Sequence, residues 1–262
     1  MKFAVVANPN KFEVKAVLEA TIKWAEQNEV SLLVSEKTCT LTGVQSPTVI
    51  EETDSDETAI KQSDIVVVIG GDGTILYTAR ISSRSAKPIL GVNAGRLGFM
   101  TDTKAEDLNN ALDAVKSGNY TIDKRHFLKA VDNNGNEFFA LNEYLFTRKD
   151  STSMINITAE YDGSLINTNW ADGLIVSSST GSTAYNLSSG GPIVVPGSGV
   201  MLVTPINPHT LTTRPLVVRS DKILKVKVEK QESDVSFSYD GVNCRIETLP
   251  LEVEITTSDL AF

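Results

Sequence analysis

The first part of the chain alternates short apolar runs with stretches in which apolar residues recur at helical spacing. The apolar runs predict strands buried on both faces, at 3–7, 30–34, 65–69 and 89–92. The helical spacing predicts helices over 12–27, from about Thr74 onward, and near 104–117. Because strands that alternate with helices indicate a parallel sheet covered on both faces, we place an α/β domain over residues 1–122.

Between two of these strands, residues 51–58 read Glu-Glu-Thr-Asp-Ser-Asp-Glu-Thr. A charge run of this kind is typical of a solvated loop. We expect it to lead into a short helix and to hold no special site.

The pattern changes near residue 125, where apolar and polar residues begin to alternate over short segments. Tight turns are indicated at 133–136 and 162–163. The second part of the chain, 123–262, is therefore predicted to be a β-rich domain. Its predicted strands lie at 127–131, 137–146, 155–161, 165–170, 174–178, 200–204, 215–219, 223–229, 234–239 and 251–256.

Composition narrows the classes of function. With 262 residues, 41% hydrophobic and 22% charged, the chain suits a soluble globular protein of one or two domains. A net charge of −9 argues against general binding to nucleic acids or membrane surfaces. No apolar stretch approaches the roughly 20 residues of a membrane span, and the opening apolar run is too short for a signal sequence. We therefore expect a cytoplasmic protein.

The cysteines and histidines indicate neither a disulfide framework nor a metal site. Cys39 and Cys244 lie far apart in the sequence and are expected to be reduced thiols. His126 and His209 have no Cys or acidic cluster near them at ligand spacing.

The most informative segment follows the third predicted strand and reads Gly70-Gly71-Asp72-Gly73-Thr74. Glycines let backbone N–H groups approach an anion, and a helix that begins at Thr74 would add its positive N-terminus. Gly70, Gly71, Gly73 and Thr74 are therefore candidates for binding phosphate. Asp72 would repel a phosphate, so it suggests a partner for a metal ion or for a hydroxyl that is about to lose its proton.

Several common motifs are absent from this loop. It lacks the Gly-Lys-Ser/Thr ending of a Walker P-loop and the glycine spacing of the dinucleotide-binding fingerprint. No Gly-x-Ser-x-Gly elbow follows a strand, which argues against a Ser-His-Asp hydrolase. A purely structural turn remains the alternative.

A second segment, rich in hydroxyl groups, runs from Asp172 to Pro192. A predicted strand leads into a Ser/Thr loop, a short helix and a Gly-Gly-Pro stop. So many small donors would suit a polar ligand with phosphates and ring oxygens. A Ser/Thr-rich surface loop explains the segment equally well.

Other positions also have two interpretations. Asn142 and Glu143 lie within a predicted alternating strand, where exposed charge is the ordinary explanation and binding of sugar hydroxyls the functional one. Asp172 either caps a turn or points into a pocket. Trp170 and Tyr185 are more typical of core or rim positions than of stacking platforms.

Taken together, these segments resemble the NAD kinase family. The glycine element alone is shared with lipid kinases and phosphofructokinases, whereas the run from Asp172 to Pro192 is much more selective. The resemblance is carried by Gly70-Gly71-Asp72-Gly73-Thr74, Asn93-x-Gly95-x-Leu97-Gly98-Phe99, Asn142-Glu143, Asp172–Pro192 and Thr204-Pro205-Ile206-Asn207-Pro208-His209-x-Leu211-x-x-Arg214-Pro215.

The resemblance implies a Rossmann-like parallel-sheet domain at the N-terminus, a β-sandwich-like domain at the C-terminus, and NAD bound between them. It implies the reaction ATP + NAD → ADP + NADP, with Mg²⁺ or another divalent cation. A homodimer or homotetramer is a further expectation. Trp170 stands where many members of the family have Arg, which leaves the choice between NAD and NADH open.

The resemblance also assigns roles to single residues. Asp72 matches the proton acceptor for the 2′-hydroxyl of the adenosine ribose, and Asn142 and Glu143 match residues that hold this ribose. Asp172 matches a position near the nicotinamide amide. The other substrate-binding positions that it implies are Gly73, Phe99, Trp170, Thr180, Thr183, Ala184, Tyr185, Asn186, Leu187 and Ser188.

Two rival functions stay open at this point. The first is a lipid or sugar kinase that shares the glycine loop. The second is a nucleotide-binding sensor without turnover, which would bind NAD but form no NADP.

Overall fold

The structure is a computed structural model that describes residues 1–85, 87–95, 98–101, 103–149, 153–231, 234–243 and 249–262. Its contacts divide the chain into two compact units. The first unit comprises Met1–Asp123 together with Phe262, and the second comprises Lys124–Ala261. Among the described residues, no helix is both long and apolar enough to cross a membrane.

The first unit contains a parallel sheet of six strands in the order β3-β2-β1-β4-β5-β6. The order reverses between β1 and β4, and ligands bind at such a switch point in open α/β sheets. The strands are β1 (Lys2–Ala7), β2 (Ser31–Ser35), β3 (Ile50–Thr53), β4 (Ile65–Gly70), β5 (Ile89–Asn93) and β6 (Thr103–Lys104). The helices are α1 (Phe12–Asn28), α2 (Glu36–Thr42), α3 (Asp56–Gln62), α4 (Asp72–Ser82) and α5 (Leu108–Lys116), the last preceded by a 3-10 turn at Ala105–Asp107.

Both faces of this sheet are buried, as the apolar runs predict. Phe3 and Val5 of β1 pack in one cluster with residues of α1 and α5. Ala4 and Val6 pack in a second cluster with residues of α3 and α4. Consecutive residues of a strand point to opposite faces, so a strand covered on both sides must be apolar throughout.

Strands β3 and β6 and the short helix α2 of the first unit were not predicted, and helix α4 begins earlier than predicted. The charge run at 51–58 is partly a strand, because β3 lies at the edge of the sheet, where acidic side chains face solvent. The rest of the run leads into α3. Ser55 is the N-cap residue of this helix, and its Oγ accepts a hydrogen bond from the N–H of Thr58 at 3.2 Å. The short helix α2 was also missed. Helix α4 begins at Asp72 rather than Thr74, since Gly71 is its extended N-cap residue.

The second unit contains two antiparallel sheets of six strands, in the orders β11-β10-β15-β18-β7-β8 and β14-β13-β12-β9-β16-β17. The strands are β7 (His126–Asp132), β8 (Glu137–Ala140), β9 (Glu143–Lys149), β10 (Ile155–Tyr161), β11 (Ser164–Ala171), β12 (Gly173–Ser178), β13 (Val200–Ile206), β14 (Leu216–Arg219), β15 (Leu224–Val228), β16 (Asp234–Tyr239), β17 (Val242–Asn243) and β18 (Leu251–Ala261). A 3-10 turn (Thr180–Thr183) and a short helix, α6 (Tyr185–Ser188), follow β12.

One core lies between these two sheets. It combines residues such as Ile157 and Val226 from the first sheet with Tyr144, Phe146 and Phe237 from the second. The ring centroids of Phe146 and Phe237 are 4.9 Å apart. Two sheets that share one core form a sandwich. Together with the parallel sheet of the first unit, this arrangement confirms the predicted fold class.

The predicted strand 137–146 is wrong in one respect that matters for function. The structure divides it into β8 and β9, with a break at Leu141 and Asn142. The ten residues from Glu137 to Phe146 include no Gly or Pro, so the local sequence lacks the strongest signals of a break. Asn142 is therefore not a strand residue, and Glu143 is the first residue of β9.

Candidate functional site

The glycine loop joins the carboxyl end of β4 to the first turn of α4. Gly70 is the last residue of the strand, and a Cβ at this position would lie 2.2 Å from Oγ1 of Thr74. Only glycine fits so close to the threonine side chain. The loop is therefore tightly packed. Helix α4 begins directly after Gly71, and a helix does not pair the N–H groups of its first turn internally.

The carboxylate of Asp72 is held by the backbone of a neighbouring loop. Its Oδ2 accepts a hydrogen bond from the N–H of Phe99 at 2.9 Å, and its Oδ1 accepts one from the N–H of Met100 at 3.1 Å. A Cβ on Gly98 would lie 2.1 Å from Oδ1, so this approach also requires glycine. The glycine loop and the predicted Gly98-Phe99 motif are therefore parts of one site. Arg96 and Leu97 of that motif lie outside the described residues.

A crevice of about 240 Å³ opens beside the glycine loop. Gly73 and Thr74 line one side of it, and the turn that follows β1 lines another, with Asn8 among its residues. Further polar lining residues are Lys37, Thr38, Asp56 and Tyr77. The crevice lies at the carboxyl ends of β1 and β4, which is the switch point of the sheet.

In the second unit, Asp240 organises the break between β8 and β9. Its carboxylate accepts hydrogen bonds from three consecutive backbone N–H groups, those of Leu141 at 2.6 Å, Asn142 at 2.8 Å and Glu143 at 3.1 Å. Sequence reasoning did not identify Asp240. The Asp-Gly turn after the predicted strand 234–239 was the available signal, but it does not reveal what the carboxylate contacts.

Asn142 and Glu143 each have a buried oxygen that accepts no hydrogen bond from the residues that the structure describes. Asn142 is only 7% exposed, and its Oδ1 has no hydrogen-bond partner among the described residues. The same holds for Oε2 of Glu143. Burial, and then the negative charge of Asp240, raise the pKa of Glu143 to about 7. Buried polar atoms without a partner are rare, and here they suit a ligand that carries hydroxyl groups.

The hydroxyl-rich segment packs directly against Asn142. The N–H of Ser178 donates to the backbone oxygen of Asn142 at 2.8 Å, and Oγ of Ser178 donates to the oxygen of Leu141. A Cβ on Gly181 would lie 2.3 Å from the same oxygen of Asn142. The structure therefore brings the Asn142-Glu143 pair and the start of the segment together.

The predicted substrate-binding residues of this segment differ in accessibility. Thr180 is buried, and Thr183 and Ala184 are half-buried. Tyr185, Leu187 and Ser188 of α6 are exposed.

Asn186 is fully buried, and its amide is engaged within the fold. Its Nδ2 donates to the backbone oxygens of Ser182 at 3.0 Å and Pro192 at 3.1 Å, and its Oδ1 accepts from Oγ1 of Thr204 at 2.7 Å. Asn186 thus ties the ends of the segment to β13. Its side chain holds the loop in place.

Asp172 and Trp170 lie at the other end of β12. Ser177 pairs with Glu143 in the sheet, whereas Gly173, next to Asp172, pairs with Thr147. Oδ1 of Asp172 is 2.8 Å from Nε of Arg148, and Oδ2 accepts a hydrogen bond from Nδ2 of Asn207 at 3.0 Å.

Trp170 is half-exposed, and its ring centroid lies 4.8 Å from that of His209. This pair of rings therefore belongs to the same end of β12 as Asp172.

Metal-ligating side chains do not cluster in the part of the chain that the structure describes, where no group of three or more His, Cys, Asp or Glu residues could hold an ion. Cys39 is a free, buried thiol. Cys244 lies outside the described residues, so its reduced state stays a prediction.

Both halves of the chain match models of known families. Residues 3–120 match the ATP-NAD kinase N-terminal domain, and residues 141–262 match the ATP-NAD kinase C-terminal domain. The chain belongs to the ATP-NAD kinase family. This confirms the resemblance drawn from the motifs, and it leaves the lipid and sugar kinases without support.

Similar proteins of known name support the same family assignment. The NAD kinase of Heliobacterium modesticaldum is 39% identical over 242 residues, which cover 90% of this chain and 83% of the relative. The NAD kinase of Thermoanaerobacter pseudethanolicus is 36% identical, with 92% of this chain and 84% of the relative covered.

Two solved structures share the fold of this chain. An NAD kinase from Archaeoglobus fulgidus in complex with ATP matches with a TM-score of 0.77 and 25% identity, covering all of this chain and 92% of that one. The yeast NADH kinase complexed with NADH matches with a TM-score of 0.90 and 24% identity over 98% of this chain and 78% of that one. At that identity the yeast structure shows the likeness of fold alone.

Replacing Glu143 by Gln will make the free energy of unfolding less dependent on pH. The pKa of Glu143 is about 7 in the folded chain, against an ordinary value of 4.5. The stability that this group contributes is fully present below the unfolded pKa and is lost as the pH rises through the folded pKa. We expect the wild type to lose about 3 kcal/mol relative to Glu143→Gln between about pH 4.5 and pH 8. Urea unfolding at several pH values measures the difference.

The matched control is Glu229→Gln, at an exposed position after β15. It is expected to follow the wild type at every pH. An identical pH profile for wild type and Glu143→Gln would contradict the raised pKa.

Proposed function

We propose that this chain transfers the terminal phosphoryl group of ATP to the 2′-hydroxyl of the adenosine ribose of NAD, forming NADP and ADP. Membership of the family makes the chain an NAD kinase, a phosphotransferase. The single observation that carries the detailed reaction is the carboxylate of Asp72, which two backbone hydrogen bonds fix in the middle of a glycine loop suited to phosphate.

The first unit supplies the donor side of the reaction in this proposal. Backbone N–H groups of Gly71 and Gly73 and the first turn of α4 would bind the phosphates of ATP, while Gly70 and Thr74 shape the loop. Asp72 would orient the hydroxyl and accept its proton late in the transfer. Phosphoryl transfer depends mostly on positioning and charge neutralisation, so a carboxylate with a fixed position is well suited to this role. Phe99, which is 63% exposed, would contact the acceptor.

The second unit supplies groups for the acceptor nucleotide. A ribose hydroxyl both donates and accepts hydrogen bonds, and it could pair with Oδ1 of Asn142 and Oε2 of Glu143, which have no other partner among the described residues. With a pKa of about 7, Glu143 is partly protonated near neutral pH and can act as donor or acceptor. Asp172 and Trp170 are proposed to serve the nicotinamide end. The proposed NAD-binding positions in the hydroxyl-rich segment are Thr180, Thr183, Ala184, Tyr185, Leu187 and Ser188, with Asn186 as their support.

A divalent cation, Mg²⁺ or a similar ion, is proposed to enter with ATP. Mg²⁺ keeps several waters and is bound through substrate phosphates and one or two carboxylates rather than by an all-protein cage. The ion would offset phosphate charge. A cytoplasmic location remains a prediction.

Turnover should depend on Asp72. Asp72→Asn removes the proton acceptor and is expected to lower kcat by about 10²- to 10⁴-fold with NAD binding retained. Steady-state assays of NADP formation, with NAD affinity measured by calorimetry, test this. Asp64→Asn is the matched control. Asp64 is exposed and directly precedes β4, so it lies at the amino end of the strand, whereas Asp72 follows its carboxyl end. Near-normal turnover of Asp72→Asn would remove the assigned role.

The function itself is tested by incubating the protein with NAD, ATP and Mg²⁺ and measuring NADP, with NADH run in parallel. We expect ATP-dependent formation of NADP. Calorimetric binding of NAD with no NADP formed would instead favour the nucleotide-binding sensor.

The chain is also proposed to form a homodimer or homotetramer. Strand β14 is an edge of its sheet, and Leu216 and Val217 on it are 40% and 47% exposed. An apolar edge strand is a template for pairing with a second copy.

We expect Val217→Lys to reduce the mass measured by light scattering after gel filtration. Ile223→Lys, a change of equal chemistry at an exposed residue outside β14, should leave the mass unchanged. A wild-type monomer would refute the proposed assembly.

A further inference from the structure

We propose that Lys11 binds the phosphate chain of the nucleotide donor and is the cation that the glycine loop itself lacks. This inference rests on the proposed function and adds a residue to it. No motif drew attention to Lys11, because it lies some 60 residues before the loop in sequence.

The turn after β1 places Lys11 beside the glycine loop. The N–H of Asn8 donates to the backbone oxygen of Ile69 at 3.3 Å, and the N–H of Lys11 donates to the oxygen of Asn8 at 3.2 Å. Ile69 directly precedes Gly70, so these bonds fasten the turn to the end of β4. Lys11 is also the N-cap residue of α1, which fixes its backbone.

The ammonium group of Lys11 reaches the loop itself. A Cβ on Gly71 would lie 3.4 Å from Nζ of Lys11, so the ammonium lies close to the glycine that precedes Asp72. Lys11 is exposed, and it makes no ion pair with another residue in the part of the chain that the structure describes. Its charge is therefore available to a ligand at the loop.

A cation is needed at this point. Asp72 places a negative charge in the middle of the phosphate-binding loop, and the chain as a whole carries a net charge of −9. Backbone N–H groups provide only partial positive charges. An ammonium on a flexible stem serves phosphate as a mobile point charge, which is the part that lysine plays in other phosphate loops.

A second lysine makes the assignment testable. Lys37 of α2 lines the crevice beside the glycine loop, together with Asp56 and Thr74. Lys11 is favoured over Lys37 because the Nζ atom of Lys11 lies close to Gly71, whereas Lys37 only lines the crevice.

The experiment measures binding by calorimetry for the wild type, Lys11→Met, Lys11→Arg and Lys37→Met, with Lys23→Met on the exposed face of α1 as the matched control. The probes are Mg-ATP, magnesium tripolyphosphate, AMP and NAD. We expect Lys11→Met to weaken Mg-ATP and tripolyphosphate by roughly 10- to 100-fold, the range for a hydrogen bond to a charged group. AMP and NAD should change by less than about 2-fold, and Lys11→Arg should recover most of the loss.

Three results would overturn the inference. The first is unchanged binding of Mg-ATP and tripolyphosphate to Lys11→Met. The second is an equal loss of affinity for NAD or AMP in that variant. The third is a loss of Mg-ATP affinity in Lys37→Met instead of Lys11→Met. Thermal unfolding followed by circular dichroism checks the fold, and Lys11→Gln serves as a second neutral variant at this exposed site. The assay of NADP formation by the wild type is separate, so failure of the proposed function and failure of the Lys11 assignment give different outcomes.

Discussion

Hydrogen bonds from neighbouring backbone N–H groups to a carboxylate fix the functional residues in both units. In the first unit, Phe99 and Met100 donate to Asp72. In the second, three consecutive N–H groups donate to Asp240. Hydrogen bonds to charged groups are stronger than neutral ones and fix direction as well as distance. The two cases differ in purpose, since Asp72 is itself the reactive candidate, whereas Asp240 holds the residues beside it.

Glycines make these arrangements possible by leaving space rather than by turning the chain. At Gly98 the carboxylate of Asp72 occupies the place of a side chain, and at Gly181 the backbone oxygen of Asn142 does so. A methyl group at either position would have to displace a functional residue or its immediate support. Glycine spacing in the motifs therefore records close packing between segments distant in sequence.

Periodicity predicted the strands and helices that carry the core, because burial on both faces of β1 and β4 leaves an unmistakable apolar run. It failed where a partner distant in sequence decides the structure. The break at Asn142 depends on Asp240, which follows 98 residues later. Edge strand β3 was missed because its acidic residues resemble a loop. No local pattern contains either contact.

The candidate site, like the fold, was predicted from the sequence only in part. Asp72 was identified because a carboxylate in a phosphate-type loop is unusual. Asn186 was grouped with the ligand-binding positions because it lies in the same motif, yet its amide ties the segment to Ser182, Pro192 and Thr204. A motif shows that residues are needed together, but it does not show which side chains face a ligand.

A chain with a net charge of −9 that is proposed to bind two anionic nucleotides must control charge locally, and two neighbouring acids of the second unit illustrate this. Asp240 accepts three backbone N–H bonds, which compensate its negative charge where it lies. Glu143 is buried beside that charge, so the pKa of Glu143 rises to about 7. In the proposed function, the protonated carboxyl of Glu143 would offer a ribose both a donor and an acceptor without adding negative charge near a pyrophosphate.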